Sequence, residues 1–451
     1  MSDPRSQDTI VPKNPFPMFN PHASGIDIGA TELYVAVPPE PTPQPVRRFG
    51  AFTEDLIALA DWLKSCGVTT VAMESTGVYW IPVFQILEDR GFEVCLVNAR
   101  HVKNVPGRKS DVQNCQWLQY LHSVGLLRGS FRPPQQVCAV RSVARHRDSL
   151  VKMASVHVQH MQKALTQMNL QIHHVLSDLT GVTGLDIVDA ILAGERDPQK
   201  LAEYRDRRVK ASKATIMKAL VGDYRAEHLF TLEQSLKSYR HYQGLIAECE
   251  QKIQTLVSAF DSQVDLLEKP LPENEKASSK KKKGPAFDLR RELYRTSGVD
   301  LTAIPSIQVT TAYTLLAEIG SDVSKFPTDK HFASWLHLCP ENRISGGRIL
   351  SVKTGSGKNR AAAALCMAAE SLHHSQTALG NFFRRMRAKL GTAQAIVATA
   401  HKLALIIYHM LKTKEPYDQT RFARHEQQNK RRMEIKLKYQ AKALGFALVP
   451  A

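Results

Sequence analysis

Three carboxylates and one serine are the residues of this chain best suited to chemistry. Asp27 sits inside the apolar stretch Gly25-Ile26-Asp27-Ile28-Gly29, where Ile26 and Ile28 must point to the other face of a strand. Glu74 closes the run Val71-Ala72-Met73-Glu74, and Asp111 opens a helical pattern after Arg108-Lys109-Ser110. Carboxylates that converge repel one another unless cations neutralise them, and Mg²⁺ prefers oxygen ligands. Two such ions can orient and activate an attacking oxygen and stabilise the leaving one in phosphoryl transfer. Plainer roles exist. An aspartate at a helix start is commonly an N-cap, and a glutamate at a strand end is commonly solvated. Asp27, within an apolar strand, is the hardest of the three to explain that way.

The serine is Ser345, in CPENRISGGRILSVKTGSGKNRAAAAL. Gly346 and Gly347 open the backbone beside it. Arg343, Arg348, Lys353, Lys358 and Arg360 surround it with positive charge and are candidate nucleic-acid contacts. A serine hydroxyl on such a loop can attack phosphorus when another group activates it. A serine in a glycine turn is also an ordinary turn residue. The stretch TGSGKNR lacks the GxxxxGK spacing of a phosphate-cradling loop. Its glycines and cations still precede a helix N-terminus, which can hold a phosphate.

The acidic residues are far apart in sequence, so a sheet must gather them. Residues 24–37 read as two strands around a turn, and 47–53 as a third. Residues 54–65 have helical spacing, 69–74 form a buried strand, 78–90 a helix, 93–98 a strand and 111–124 a helix. Three consecutive strands followed by alternating helix and strand is the order of a ribonuclease-H-like α/β domain, a mixed sheet with helices on both faces. In that sheet the first and fourth strands are neighbours, and the helix after the fifth strand brings its first turn near them. Asp27, Glu74 and Asp111 can then converge.

The remaining organisation follows from composition. Residues 1–22 are a Pro- and Asn-rich flexible arm, and 23–135 the ribonuclease-H-like domain. A helical connector spans 136–272, with an imperfect heptad signal for a coiled coil. Residues 273–297 read as a basic linker with a lysine run at 280–283. Residues 298–414 form a mostly helical all-α second domain carrying Ser345, and 415–451 a basic tail, helical in part. The 451 residues suit about three units at roughly 150 residues each. A 43% hydrophobic content excludes wholesale disorder.

The net charge is +17, and residues 330–442 hold 21 Lys and Arg against six Asp and Glu, so the polyanion partner should touch this half. The apolar stretch from Ala395 to Leu411 contains His401, Lys402 and His409 and is expected to fall short of a bilayer span. The N-terminus has no apolar core or cleavage site, so no signal peptide is expected. Seven scattered cysteines without a CxxC pair fit reduced thiols of a cytoplasmic protein.

Read together, GIDIG, VAMESTGVYW, GRKSDVQNCQWLQYLHSVGLLRGSFRP, HFASWLHLCPENRISGG, KNRAAAAL and ATAHKLALIIYHML resemble the DEDD-type transposases of bacterial insertion sequences, the bridge-RNA-guided recombinases, over nearly the whole chain. The resemblance implies a RuvC-like domain, a long helical connector and a transposase domain whose serine works with metal-bound carboxylates. It implies Asp27, Glu74 and Asp111 as Mg²⁺ (or Mn²⁺) ligands and Ser345 as nucleophile. It also implies donor and target DNA, a structured guide RNA from the same element, and a homo-oligomer, dimer or tetramer, that acts at the nucleoid. The family's fourth acidic position, one helical turn after the third, is Asn114 here. Its amide oxygen can ligate a cation but brings no charge. The family's Gly-x-Gly hairpin is replaced by Ser306-Ile307-Gln308, which makes close backbone approach to a phosphate harder.

The implied reaction is transesterification by Ser345, with the carboxylate–metal site activating it and the site assembled from two domains. Two rivals remain: a metal-dependent Holliday-junction-type nuclease in which water attacks, and a nucleic-acid-binding relative weakened at Asn114.

Overall fold

Alternation of side chains along the first strand sets the layers of the N-terminal unit. A computed structural model describes residues 17–40, 42–98, 110–273, 287–340, 342–351, 354–355, 357 and 359–446, without the side chains of 343, 421–430 and 436. Lys353, Lys358 and the lysine run at 280–283 lie outside the described residues, as does most of the N-terminal arm. The chain divides into two units at Arg132/Pro133.

In the first unit, strands β1 (Ala23–Ile28), β2 (Glu32–Ala36), β3 (Val46–Gly50), β4 (Thr70–Glu74) and β5 (Glu93–Val97) form one sheet in the order β3-β2-β1-β4-β5. β1 runs antiparallel to β2 and parallel to β4, and β4 is parallel to β5. This is a mixed five-stranded sheet, as the element order predicts. Ile26, Ile28, Leu33 and Val35 pack with Leu56, Leu59 and Leu63 of α1 (Thr53–Ser65) and with Val83, Phe84 and Leu87 of α2 (Trp80–Asp89). Gly25 and Asp27 face the other way, toward α3 (Asp111–Ser123). Helices therefore cover both faces of the sheet.

In the second unit, α4 (Gln135–Gln167) and α9 (Ala226–Ser258) are 33 residues each and pair antiparallel. Val140 and Ala144 meet Ile253 and Val257; Ala154 meets Ile246; Met161 and Leu165 meet Leu232 and Leu236. Arg147 interrupts this apolar seam and donates to Glu250. Short helices α5 to α8 (Ile172–Val175, Val182–Leu192, Pro198–Leu201 and Lys213–Ala219) close the end of the pair between α4 and α9 around Ile187, Ile191 and Leu201.

Within the stretch read as linker, α10 (Leu289–Ser297) is an ordered helix capped by Asp288, with Leu289, Leu293 and Tyr294 buried. The neighbouring lysines hide its short apolar face from composition. Then follow α11 (Val309–Ile319), α12 (Asp329–Trp335), the hairpin β6 (Arg343–Ser345) and β7 (Arg348–Ser351), α13 (Arg360–Ser371), α14 (Ala378–Leu390), α15 (Thr392–Thr413) and α16 (Gln419–Ala443). Among the described residues, α15 alone is long and apolar enough to cross a membrane, which the shorter sequence reading missed. More than half of its most apolar 18-residue window is buried inside the protein, with α12, α13 and α14 packed on it. Its Tyr408 hydroxyl donates to the Phe326 carbonyl at 2.8 Å, and the helix serves as the core of this part of the chain. All seven cysteines are free thiols.

Candidate active site

A missing side chain brings the catalytic candidates of the first unit together. A Cβ at Gly25 would lie 2.3 Å from the Cys115 carbonyl oxygen and 2.3 Å from the Gln119 amide nitrogen, so only glycine lets α3 approach β1 this closely. Asp27, two residues on and on the same face, then meets the first turns of α3. Asn114 Nδ2 donates to Asp27 Oδ2 at 3.1 Å. Gly25 was not singled out in the sequence reading. A glycine inside a strand, two residues before the key acid, was the available signal.

Burial raises the Asp27 carboxyl above its ordinary value, and the Asp111 charge adds to the effect. The hydrogen bonds from Asn114 and the Ile28 amide oppose it without cancelling it. The same negative charge acts on Cys115 next door. Its thiol is pushed up to about 12, first by burial and then by Asp27, so it is no nucleophile.

Asp111 is exposed and is not the helix cap. Ser110 fills that role, accepting from the Gln113 amide at 3.3 Å, which leaves the Asp111 carboxylate uncommitted to capping. Glu74 ends β4. The parallel register pairs Ile26 with Met73, and one further residue along both strands brings Glu74 level with Asp27 at the same end of the sheet. Thr76 Oγ1 donates weakly to Glu74 Oε1 at 3.5 Å.

Asp27, Asp111 and Asn114 are thus brought together, with Glu74 on the adjacent strand. Among the described residues no three His, Cys, Asp or Glu side chains form a ready-made metal cage. The donor set nevertheless fits a hard cation. Its three carboxylates offer oxygen, and the central one is desolvated and lies near a second negative charge, an arrangement a cation relieves.

Ser345 is exposed and ends β6. It pairs with Arg348 across a two-residue turn in which Gly346 has φ 54° and Gly347 φ 74°. Two successive positive φ values make this a type I′ hairpin, which accounts for the glycine pair. Among the described residues the Ser345 hydroxyl has no hydrogen-bond partner.

The five cations differ in their surroundings. Arg348 is exposed on the hairpin. The Arg343 side chain, Lys353 and Lys358 lie outside the described set. Arg360 is tied to Asp148 of α4 and lies 3.9 Å from Glu318, so two carboxylates already answer its charge. The N-terminus of α13 is capped by Asn359, whose side chain accepts from the Ala362 amide at 3.2 Å.

Three likenesses to known proteins agree with this layout. Residues 24–170 match the DEDD-type IS110 transposase family model, and residues 300–384 match the model described as transposase of the IS116/IS110/IS902 family. A 114-residue stretch is 32% identical to the "Insertion element IS110 uncharacterized 43.6 kDa protein" of Streptomyces coelicolor. That stretch spans 25% of this chain and 28% of the relative. The first match covers Asp27, Glu74, Asp111 and Asn114, and the second covers Ser345. Two separate stretches of the chain are thus similar to IS110-family transposase domains, and the chain spans less than a third of the Streptomyces relative's length in their match.

Proposed function

We propose that this chain is the transposase of a bacterial insertion sequence, a DNA recombinase that exchanges strands under the guidance of a structured RNA from its own element. It acts in the cytoplasm on donor and target DNA, as a homo-oligomer. The observation that carries the reading is the contact of Asp27 with Asn114 beside Asp111: a desolvated carboxylate that accepts from the Asn114 amide and lies near a second negative charge, built by a strand and a helix that only a glycine lets approach.

Asp27, Glu74 and Asp111 are the residues that hold Mg²⁺ or Mn²⁺, with the Asn114 amide oxygen as a neutral fourth donor. When bound, the ion supplies positive charge to the phosphoryl oxygens on which negative charge grows. Ser345 supplies the nucleophile. Its Oγ–P bond forms as the bond from phosphorus to a deoxyribose oxygen breaks. The hydroxyl proton is lost, and the leaving oxygen takes up a proton. The phosphoserine ester conserves the bond energy, and reversal with a different deoxyribose hydroxyl rejoins the strand. Arg348 beside Ser345 holds the phosphate by charge.

A second reading is favoured by one specific observation. The Ser345 hydroxyl has no base bonded to it among the described residues, and its glycine neighbours are what a type I′ turn requires. Water would then be the attacking group, as in a Holliday-junction nuclease. Trapping on a nicked DNA substrate separates the two. Protein covalently held on DNA by the parent and lost in Ser345→Ala supports the serine. Cleavage by Ser345→Ala at the parent's rate removes it.

A further inference from the structure

The β6–β7 hairpin has two unlike faces. Ser345 pairs with Arg348, and Ile344 pairs with Ile349, so these two pairs lie on opposite sides of the ribbon. The register shifts between Arg343 and Ile344, which leaves Leu350 as an extra residue in β7. Ile344, Ile349 and Leu350 are 62%, 63% and 69% exposed. Three large apolar side chains on a nine-residue hairpin are a poor arrangement for a surface that meets only water.

The charge around the hairpin identifies what covers them. Residues 342–359 carry four Lys and Arg and no Asp or Glu. A second copy of this segment would bring like charge against like. DNA offers phosphates to the cations and base faces to the isoleucines. A two-stranded ribbon is also narrow enough to enter a groove of the duplex.

We infer that the hairpin is a DNA wedge: with the Ser345–Arg348 face turned to the backbone, Ile344 and Ile349 press between base pairs beside the scissile phosphate and unstack them. Apolar side chains open base steps in this way in other DNA-bending proteins. The unstacking frees one strand for exchange at the step where the nucleophile stands. This inference rests on the reading of Ser345 as nucleophile, and the test keeps the two apart.

The experiment uses the full chain and duplexes that span the end of its element, with 2-aminopurine placed at successive positions. The base brightens when it is unstacked. The parent and Ser345→Ala should both brighten it at the same one or two steps. The double substitution Ile344→Thr with Ile349→Thr keeps β-branching, and with it strand propensity, and should lose the signal while still binding DNA. No brightening with the parent at any position overturns the wedge, as does full brightening with the threonine pair. A change in assembly size without DNA on introducing the threonines would assign the face to a second copy and also overturn it. If Ser345→Ala still cleaves, the nucleophile assignment fails, while the fluorescence continues to decide the wedge on its own.

Discussion

Asn114 uses its amide nitrogen, not its oxygen, to meet Asp27: Nδ2 donates to Oδ2 at 3.1 Å. A fourth carboxylate at this position would repel Asp27. The amide instead gives that carboxylate a partner, so the neutral residue steadies a cluster that otherwise needs a cation to stand.

Replacing the acid itself should show that cost. Asp27 titrates above its ordinary value of 3.8 because it is buried and lies near Asp111. The unfolded chain ionises more readily, so stability from this residue is lost as pH rises from 3.8 through the folded value. Asp27→Asn should therefore stabilise the protein in chelator at neutral pH by a few tenths to about 1 kcal/mol, allowing for solvent screening, while abolishing recombination. Thermal unfolding with and without Mg²⁺ is the check. A lower melting temperature for the variant in chelator would contradict the electrostatic account.

Asn114→Asp reverses the relationship. The hydrogen bond to Asp27 is lost and two carboxylates stand where one stood. In chelator the variant should be less stable by about 1–2 kcal/mol, and it should reach half-maximal strand exchange at lower Mg²⁺ than the parent. If a metal titration finds equal requirements, Asn114 stands outside the coordination shell.

In the second unit, Glu318 is 7% exposed and receives hydrogen bonds from Arg141 and Arg145. Burial raises its carboxyl, but the Arg145 hydrogen bonds and the charges of Arg141 and Arg145 outweigh it and hold it below its ordinary value of 4.5. Its stabilisation is thus complete above pH 4.5 and lost as pH falls through the folded value. Glu318→Gln should cost about 3 kcal/mol at pH 7, because it leaves arginines facing a neutral amide. It should also flatten the acid limb of stability. Melting curves at pH 7 and pH 4 test this, and an unchanged acid limb would point to other carboxylates.

Ser306 has φ 79°, and among the described residues its buried hydroxyl oxygen has no hydrogen-bond partner. It occupies the first position where the resembling family has glycine. Ser306→Gly removes both penalties and should stabilise the protein by about 1 kcal/mol, readable in a urea titration. A destabilised variant would mean that the hydroxyl has a partner in the working complex.

Much of the first unit was legible because local and global signals coincide there. The β-β-β-α-β-α-β-α order, the inward Ile26 and Ile28, and the adjacency of β1 and β4 follow from periodicity and topology alone. The direction of the Asn114 amide was not legible, since it depends on how closely α3 approaches β1. The pairing of Arg360 with Asp148 joins residues 212 positions apart, and its charge looked free because no local pattern records such a partner. The sequence around Ser345 suggests an open loop where the structure has a hairpin. Its Gly-Gly pair between Arg343-Ile344 and Arg348-Ile349-Leu350 was the turn signal, and the crowding cations drew the reading toward phosphate instead.

Gly25 makes the spacing of the acidic site a matter of what one position lacks. A methyl group there would overlap main-chain atoms of Cys115 and Gln119, which cannot rotate aside as a side chain could. The helix would have to lift off the sheet, and the amide on α3 would part from the carboxylate on β1. On the proposed function, activity can therefore be lost with every polar residue intact. Inactivating changes should be sought at this small residue as well as among the acids, and no added cation can restore a distance that the backbone has lost.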